Sequence, residues 1–224
     1  MIDRPLWILG IDPAINGGAV LISPEGDAVV GWSWRTRTKR KKRVWEVAVV
    51  QPPFSRLEPH KSIHGIAVLI RSGCARIVED EPLAIGCEAP HVALDPMAGL
   101  SVAMTTGEMI GPLREITDLG IYLWMPAMWR LPILGLKIQT KREEAKAASL
   151  SGVPKLVPGL AEILEVTSGI FKCDPANLDH VTDAAGVALQ TGRQATLGVE
   201  AGNGRKKRKR KDPAGVGKRF RKTD

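Results

Sequence analysis

Cysteine is scarce in this sequence: three residues in 224, Cys74, Cys87 and Cys173, with no CxxC spacing. That argues against a secreted disulfide framework and a paired-cysteine zinc site, and makes a reducing compartment the expectation. Long apolar runs are missing as well. The most apolar window, residues 119–136, is interrupted by Pro126, Arg130 and Pro132 and makes a poor membrane span. A signal peptide is not expected, since Asp3 and Arg4 precede a short apolar run that ends at Asp12. Internal repeats are lacking too. What remains suits one soluble domain, with 44% apolar and 25% charged residues. The length can bury a two-layer core without a covalent staple.

The formal net charge is +8, unevenly spread. Residues 205–224 hold 11 Lys/Arg against two Asp, a local charge of +9. Seven more basic residues lie within 35–43. Outside both segments, 14 basic residues face 22 acidic ones. An acidic body therefore carries two concentrated cationic segments. That pattern fits a polyanionic partner, nucleic acid first. A solvated loop and a disordered tail that aid solubility are the plainer reading of the same residues.

Short apolar runs bounded by turn residues predict strands over 6–11, 18–23 and 28–34, with AINGG and PEGD as the turns between them. The basic segment 35–43 reads as an insertion. Residues 44–50 follow as another strand or the continuation of the third, ended by Gln51-Pro52-Pro53. Helical periodicity over 62–78 puts Ile63, Ile66, Ala67, Ile70 and Ile77 roughly on one face. Strands are predicted at 83–88 and 120–125, with a long helix at 95–118 between them. Helices follow at 140–149, capped by Thr140, at 160–166 and at 179–191. Order is not expected from Val199 onward. The β-meander followed by alternating helices and strands implies an α/β fold, a mixed sheet with helices on its faces. One domain, residues 1–198 with the basic insertion at 35–43, precedes a basic tail, 199–224.

Acidic groups stand in three places where a sheet could use them. Asp12 ends the first strand in LGIDPAINGG, where a buried carboxylate is costly unless it is paired or bound to a metal. It could equally start an Asx-turn before Pro13. Glu88 ends the fourth strand in AIGCEAP, and a strand-end surface carboxylate is the alternative. His180 and Asp183 in LDHVTDAAGVAL are three residues apart, which puts them on one helix face. Asp179 before them reads as an N-cap, and a histidine at a helix start can be a cap or a surface residue. Together these groups make an oxygen-rich set suited to hard divalent cations, which can activate water for phosphodiester cleavage.

The segments together resemble the RuvC-type Holliday-junction resolvases of the RNase H-like superfamily. LGIDPAINGGAVLI is similar to the family's first-strand motif, AIGCEAP to its fourth-strand motif, and DHVTDAAGVAL to its C-terminal helix. MPAMWRLPILGLKIQTKREEAK resembles the segment after the fifth strand. The resemblance implies an RNase H-like mixed five-stranded sheet with helices on both faces. It implies a catalytic, metal-holding quartet of Asp12, Glu88, His180 and Asp183, with two Mg2+ ions that Mn2+ can replace. Lys141 matches the basic residue that contacts DNA near the scissile phosphate, with Lys137 and Arg142 beside it. Arg40, Lys41, Lys42 and Arg43 would add affinity that is independent of sequence and sensitive to salt.

The substrate so implied is branched DNA, cut by paired nicking, without a membrane. Two symmetric nicks require two sites related by a two-fold axis, hence a homodimer. Met97, Leu100, Met104 and Met109 of the helix at 95–118 supply a candidate dimer surface, or else pack on the sheet. Two departures from the family stand out: Ala14 replaces the usual glycine, and Ala89-Pro90-His91 stands where an aromatic wedge is common. The basic additions suggest a bacteriophage or mobile-element version, acting in the cytoplasm of a bacterial or phage-infected cell. Three rivals share some of these features: an RNase H-like nuclease for another nucleic acid, a catalytically inactive junction-binding protein, and an actin-like or sugar-kinase ATPase. The ATPase fold needs a second phosphate-binding hairpin, which the sequence lacks.

Overall fold

A computed structural model describes residues 5–39, 42–89, 96–137 and 140–202. Seven strands form one sheet: β1 (Trp7–Asp12), β2 (Gly17–Ile22), β3 (Ala28–Lys39), β4 (Lys42–Gln51), β5 (Phe54–His60), β6 (Leu83–Glu88) and β7 (Ile121–Trp124). Their order is β5-β4-β3-β2-β1-β6-β7. The first five pair antiparallel in succession. β6 joins β1 in parallel and β7 joins β6 in parallel. Six α-helices accompany the sheet among the described residues: α1 (Ile63–Val78), α2 (Pro96–Leu113), α3 (Pro126–Leu134), α4 (Arg142–Leu156), α5 (Leu160–Phe171) and α6 (Asp179–Gly202).

The α/β class and the mixed sheet covered on both faces agree with the sequence, but the sheet has seven strands rather than five. Both additions lie in the antiparallel half. The described residues of the basic segment, 35–39 and 42–43, lie in strands rather than in an inserted loop. β3 runs on to Lys39 and β4 starts at Lys42, with Arg35 opposite Glu46 and Arg37 opposite Val44. Arginine alternating with β-branched threonine suits a ribbon with one solvated side. Glu46 supports it by accepting from Arg35 Nη2 at 3.2 Å and from Arg37 Nη1 at 2.8 Å. β5 follows at once. Its FSRLEPH is largely exposed and carries Pro59, as an edge strand can. Such a strand has no apolar alternation to betray it.

The core has two parts, one on each face of the sheet. α1 and α2 cover one face through Ile66, Ile70, Met109 and Leu113, against Leu9, Ile11, Trp32 and Ile85. α3 to α6 cover the other, through Trp129, Val153, Ile163 and Val181 against Val20, Ile22, Ala48 and Val50. The expected apolar face of α1 is there, with Ser62 as its cap accepting from the Gly65 N–H at 3.1 Å. Met109 is fully buried in the core and leaves the candidate dimer surface, whereas Leu100 and Met104 of α2 are 53% and 61% exposed.

The later helices differ from expectation in extent. α3 is additional: Pro126 opens it at the first helical position, where a proline's missing N–H costs nothing. α4 begins at Arg142 with Lys141 at its cap, and Thr140 instead donates to the Lys137 carbonyl at 2.7 Å. α5 and α6 run past their expected ends, α6 as far as Gly202. Among the described residues no helix is long and apolar enough to cross a membrane.

Candidate active site

Strand alternation decides which way the strand-end acids point. Leu9 and Ile11 of β1, and Ile85 and Cys87 of β6, pack into the α1/α2 half of the core. The alternate residues Gly10 and Asp12, and Gly86 and Glu88, therefore face α6. β1 and β6 are parallel neighbours, with Ile11 beside Cys87, so Asp12 and Glu88 leave the sheet side by side. The glycines let α6 approach closely. A Cβ at Gly10 would overlap the Ala184 carbonyl, and one at Gly86 would overlap the Thr191 hydroxyl. Thr191 also accepts from Trp124 Nε1 at 2.8 Å, tying β7 to the same helix. This close packing brings the first turns of α6, with His180 and Asp183, to the two strand ends.

The three carboxylates and the imidazole line one cleft of about 1090 Å³. Each has a protein partner. The Asp12 Oδ1 accepts from the Ala14 N–H at 3.2 Å, the Asx-turn geometry that was the alternative for this residue. Glu88 Oε2 accepts from Trp129 Nε1 at 3.2 Å. Asp183 accepts from Arg130 Nη2 at 2.6 Å and from the Ser149 hydroxyl at 2.5 Å. His180 Nε2 shares a 2.8 Å hydrogen bond with the Ser33 hydroxyl of β3. Asp179 is the first residue of α6 and pairs with Lys146 at 3.3 Å.

Crowding of like charge shows in the acidities. Burial raises the Asp12 carboxyl well above the usual range, and Glu88 and Asp183 raise it further. Burial pushes Glu88 up to about 7, with Asp183 adding and Arg130 opposing. Asp183 is also raised by burial, against the pull of Arg130 and Ser149. Burial lowers His180 to about 4, so its ring is neutral at pH 7. The carboxylates thus sense one another, while His180 stands in the same cleft with one nitrogen bound to the sheet.

This donor set suits a hard divalent cation: three carboxylates share one cleft, their ionisation held back chiefly by burial and then by one another. Their present arrangement does not close on a common centre. Among the described residues no three histidine, cysteine or acidic side chains are grouped to hold a metal ion. Asp183 is bonded to Arg130 and Ser149, and Glu88 to Trp129.

The walls of the cleft are cationic. Arg35, Arg130, Lys137, Arg142 and Lys146 line it. Of the basic residues singled out in the sequence, Lys137 and Arg142 belong to these walls, whereas Lys141 is exposed outside them. Arg40 and Lys41 lie outside the described residues, as do the side chains of Lys42 and Arg43, the Pro90-His91 pair and the chain from 203 onward. Sequence reasoning missed Trp129, Arg130, Ser149 and Lys146, and took Arg35 only as part of the basic segment. The Trp-Arg pair in MPAMWRLP was the one available signal, a proline opening a helix with an arginine in its second turn.

No protein-family model matches the sequence, and no curated protein matches it. Among solved structures the chain is similar to T. thermophilus RuvC in complex with a Holliday junction substrate, at 15% identity and a TM-score of 0.45, covering 86% of this chain and 96% of that one. A likeness at that level assigns no function by itself.

Proposed function

We propose that this protein is a divalent-cation-dependent endonuclease acting on branched DNA, with the four-way junction as its first substrate. The observation that carries this reading is the convergence of Asp12, Glu88 and Asp183 on one cleft whose walls are cationic. Carboxylates at the floor hold cations, and basic walls hold a phosphodiester backbone.

Asp12, Glu88 and Asp183 would hold the cation, Mg2+ or Mn2+, with His180 beside them. Such an ion supplies an activated water and charge stabilisation for the departing oxygen. Asp12 senses the charge of both other carboxylates and would be the central donor. In the tautomer whose Nε2–H donates to the Ser33 hydroxyl, neutral His180 would keep a lone pair at Nδ1 able to accept a proton from water. Lys137, Arg142 and Lys146 neutralise phosphates along the strand. Arg35, stacked over Phe171 at 4.4 Å and donating to its carbonyl at 2.9 Å, stiffens the far wall. A junction presents two equivalent strands, so the active form is a homodimer, with exposed Leu100 and Met104 of α2 as the meeting surface.

The test is a panel of labelled four-way junction, flap, RNA–DNA hybrid and linear duplex, with and without Mg2+. Paired nicks in the junction, present only with the cation, are expected. Asp12→Asn should bind the junction with near wild-type affinity and cleave at least about 10³-fold more slowly, on the order of the loss when a group that acts in the transition state is removed. Persistent nicking by pure Asp12→Asn protein, or no cleavage of any substrate by the wild type with Mg2+ or Mn2+, overturns the reading. Junction binding without cleavage would leave a binding protein.

A further inference from the structure

With Asp12, Glu88 and Asp183 ionised, the cleft floor carries three negative charges, and Arg130 is the cation bonded to one of them. Its Nη2 lies 2.6 Å from Asp183 Oδ2, and its guanidinium sits 5.0 Å from the Trp129 ring centre. Trp129 in turn donates to Glu88. Two consecutive residues of α3 therefore hold two of the three acids that would bind a divalent cation.

The Arg130 pairing is incomplete. One nitrogen bonds the carboxylate, and among the described residues the buried Nε has no hydrogen-bond partner. An arginine built to orient a carboxylate uses its two-pronged fork. This one leaves a donor unsatisfied, which is costly in a buried place. It is therefore a counter-charge that a better cation can displace, with open cleft beside it to move into.

We propose that Arg130 is a built-in competitor for the cation: its guanidinium occupies Asp183 in the metal-free protein, and a divalent ion closes the site only as Arg130 leaves. The inference rests on the cation-dependent reading of the cleft. It accounts for carboxylates that share a cleft and sense one another yet do not close on one centre. The device keeps an acidic pocket folded without metal and sets a threshold cation concentration for closing it. A ligand-orienting arginine would have the opposite effect, since its removal would weaken cation binding.

Mn2+ binding to the full chain, followed by electron paramagnetic resonance and calorimetry, tests this. Arg130→Gln should bind Mn2+ at least about tenfold more tightly than the wild type, the shift that ~1.4 kcal/mol of lost competition produces. Arg130→Lys, which keeps the charge but loses the planar fork, should fall between the two and serves if the glutamine variant does not fold. In chelator Arg130→Gln should melt below the wild type, and its gain in melting temperature on adding Mn2+ should be the larger. Unchanged or weaker Mn2+ binding in both Arg130 variants overturns the proposal. So does an equal gain in Lys137→Gln, which removes the same charge from the cleft wall without touching Asp183. If Asp12→Asn binds Mn2+ as well as the wild type does, or the wild type binds none, the cation reading itself fails and this inference with it.

Discussion

Glu88 is held where a carboxylate ionises reluctantly, and the consequence is measurable without substrate. Its native acidity is pushed up to about 7 from an ordinary 4.5, chiefly by burial. Between those values the folded protein holds a proton that the unfolded chain has released. The contribution to stability therefore falls as pH rises through that window. In chelator, Glu88→Gln should match the wild type below about pH 4.5 and be the more stable of the two above pH 7. Thermal melts of the two proteins from pH 4 to 8 check this, and curves that stay parallel refute it. His180 has the opposite sign, since a base lowered to about 4 adds stability as pH rises towards 6.5. It is present in both proteins and cancels in their difference. At this scale the acids were legible because each ends an apolar strand or opens a helix in a local pattern. Their partners were not. Arg130 and Ser149 are 53 and 34 residues from Asp183 in the chain, and no local spacing announces either bond.

The packing of α6 on the sheet is the element-scale feature on which the site depends. Gly10→Ala would drive a methyl group into the Ala184 carbonyl, backbone that cannot swing aside. Overpacking of this kind costs about 1–3 kcal/mol, and displacing α6 should also weaken cation binding at Asp183. Gly107→Ala, on α2, meets nothing within 4 Å and should stabilise by about 0.5–1 kcal/mol through helix propensity alone. Chemical denaturation of the two variants should therefore give shifts of opposite sign, and equal signs would discredit the packing argument. Among the elements, the buried ones were readable: β1, β2 and β6 as short apolar runs between turn residues, α1 and the start of α6 by their helical period. β5 and the outer half of the β3–β4 ribbon were not, because a strand with polar residues facing solvent carries no such period. α3 was hidden by Pro126, which ends a strand and opens a helix with equal propriety.

Over the whole molecule the charge is divided between an acidic body and cationic segments, and that division should govern affinity for DNA. Log affinity falls with log salt by about 0.9 for each phosphate that a basic side chain neutralises. Deleting residues 205–224, which hold 11 basic residues, should therefore flatten that slope while leaving the cleft unaltered. Filter-binding or fluorescence titrations across salt concentrations measure it, and an unchanged slope retires the role of the tail. Arg35 and Arg37 act differently. Both are tied to the single carboxylate of Glu46, so their removal should weaken the ribbon as well as DNA binding.

The sequence by itself determined the α/β class, the apolar faces and the carboxylates at the ends of two strands, because periodicity and strand-end chemistry are written in neighbouring residues. Only the tertiary structure decided that those acids meet, since a parallel register puts Asp12 beside Glu88 and the glycines beneath α6 let Asp183 approach both. It also decided which cation answers them first. Arg130 reaches Asp183 because α3 packs against α6, two segments that no local pattern connects.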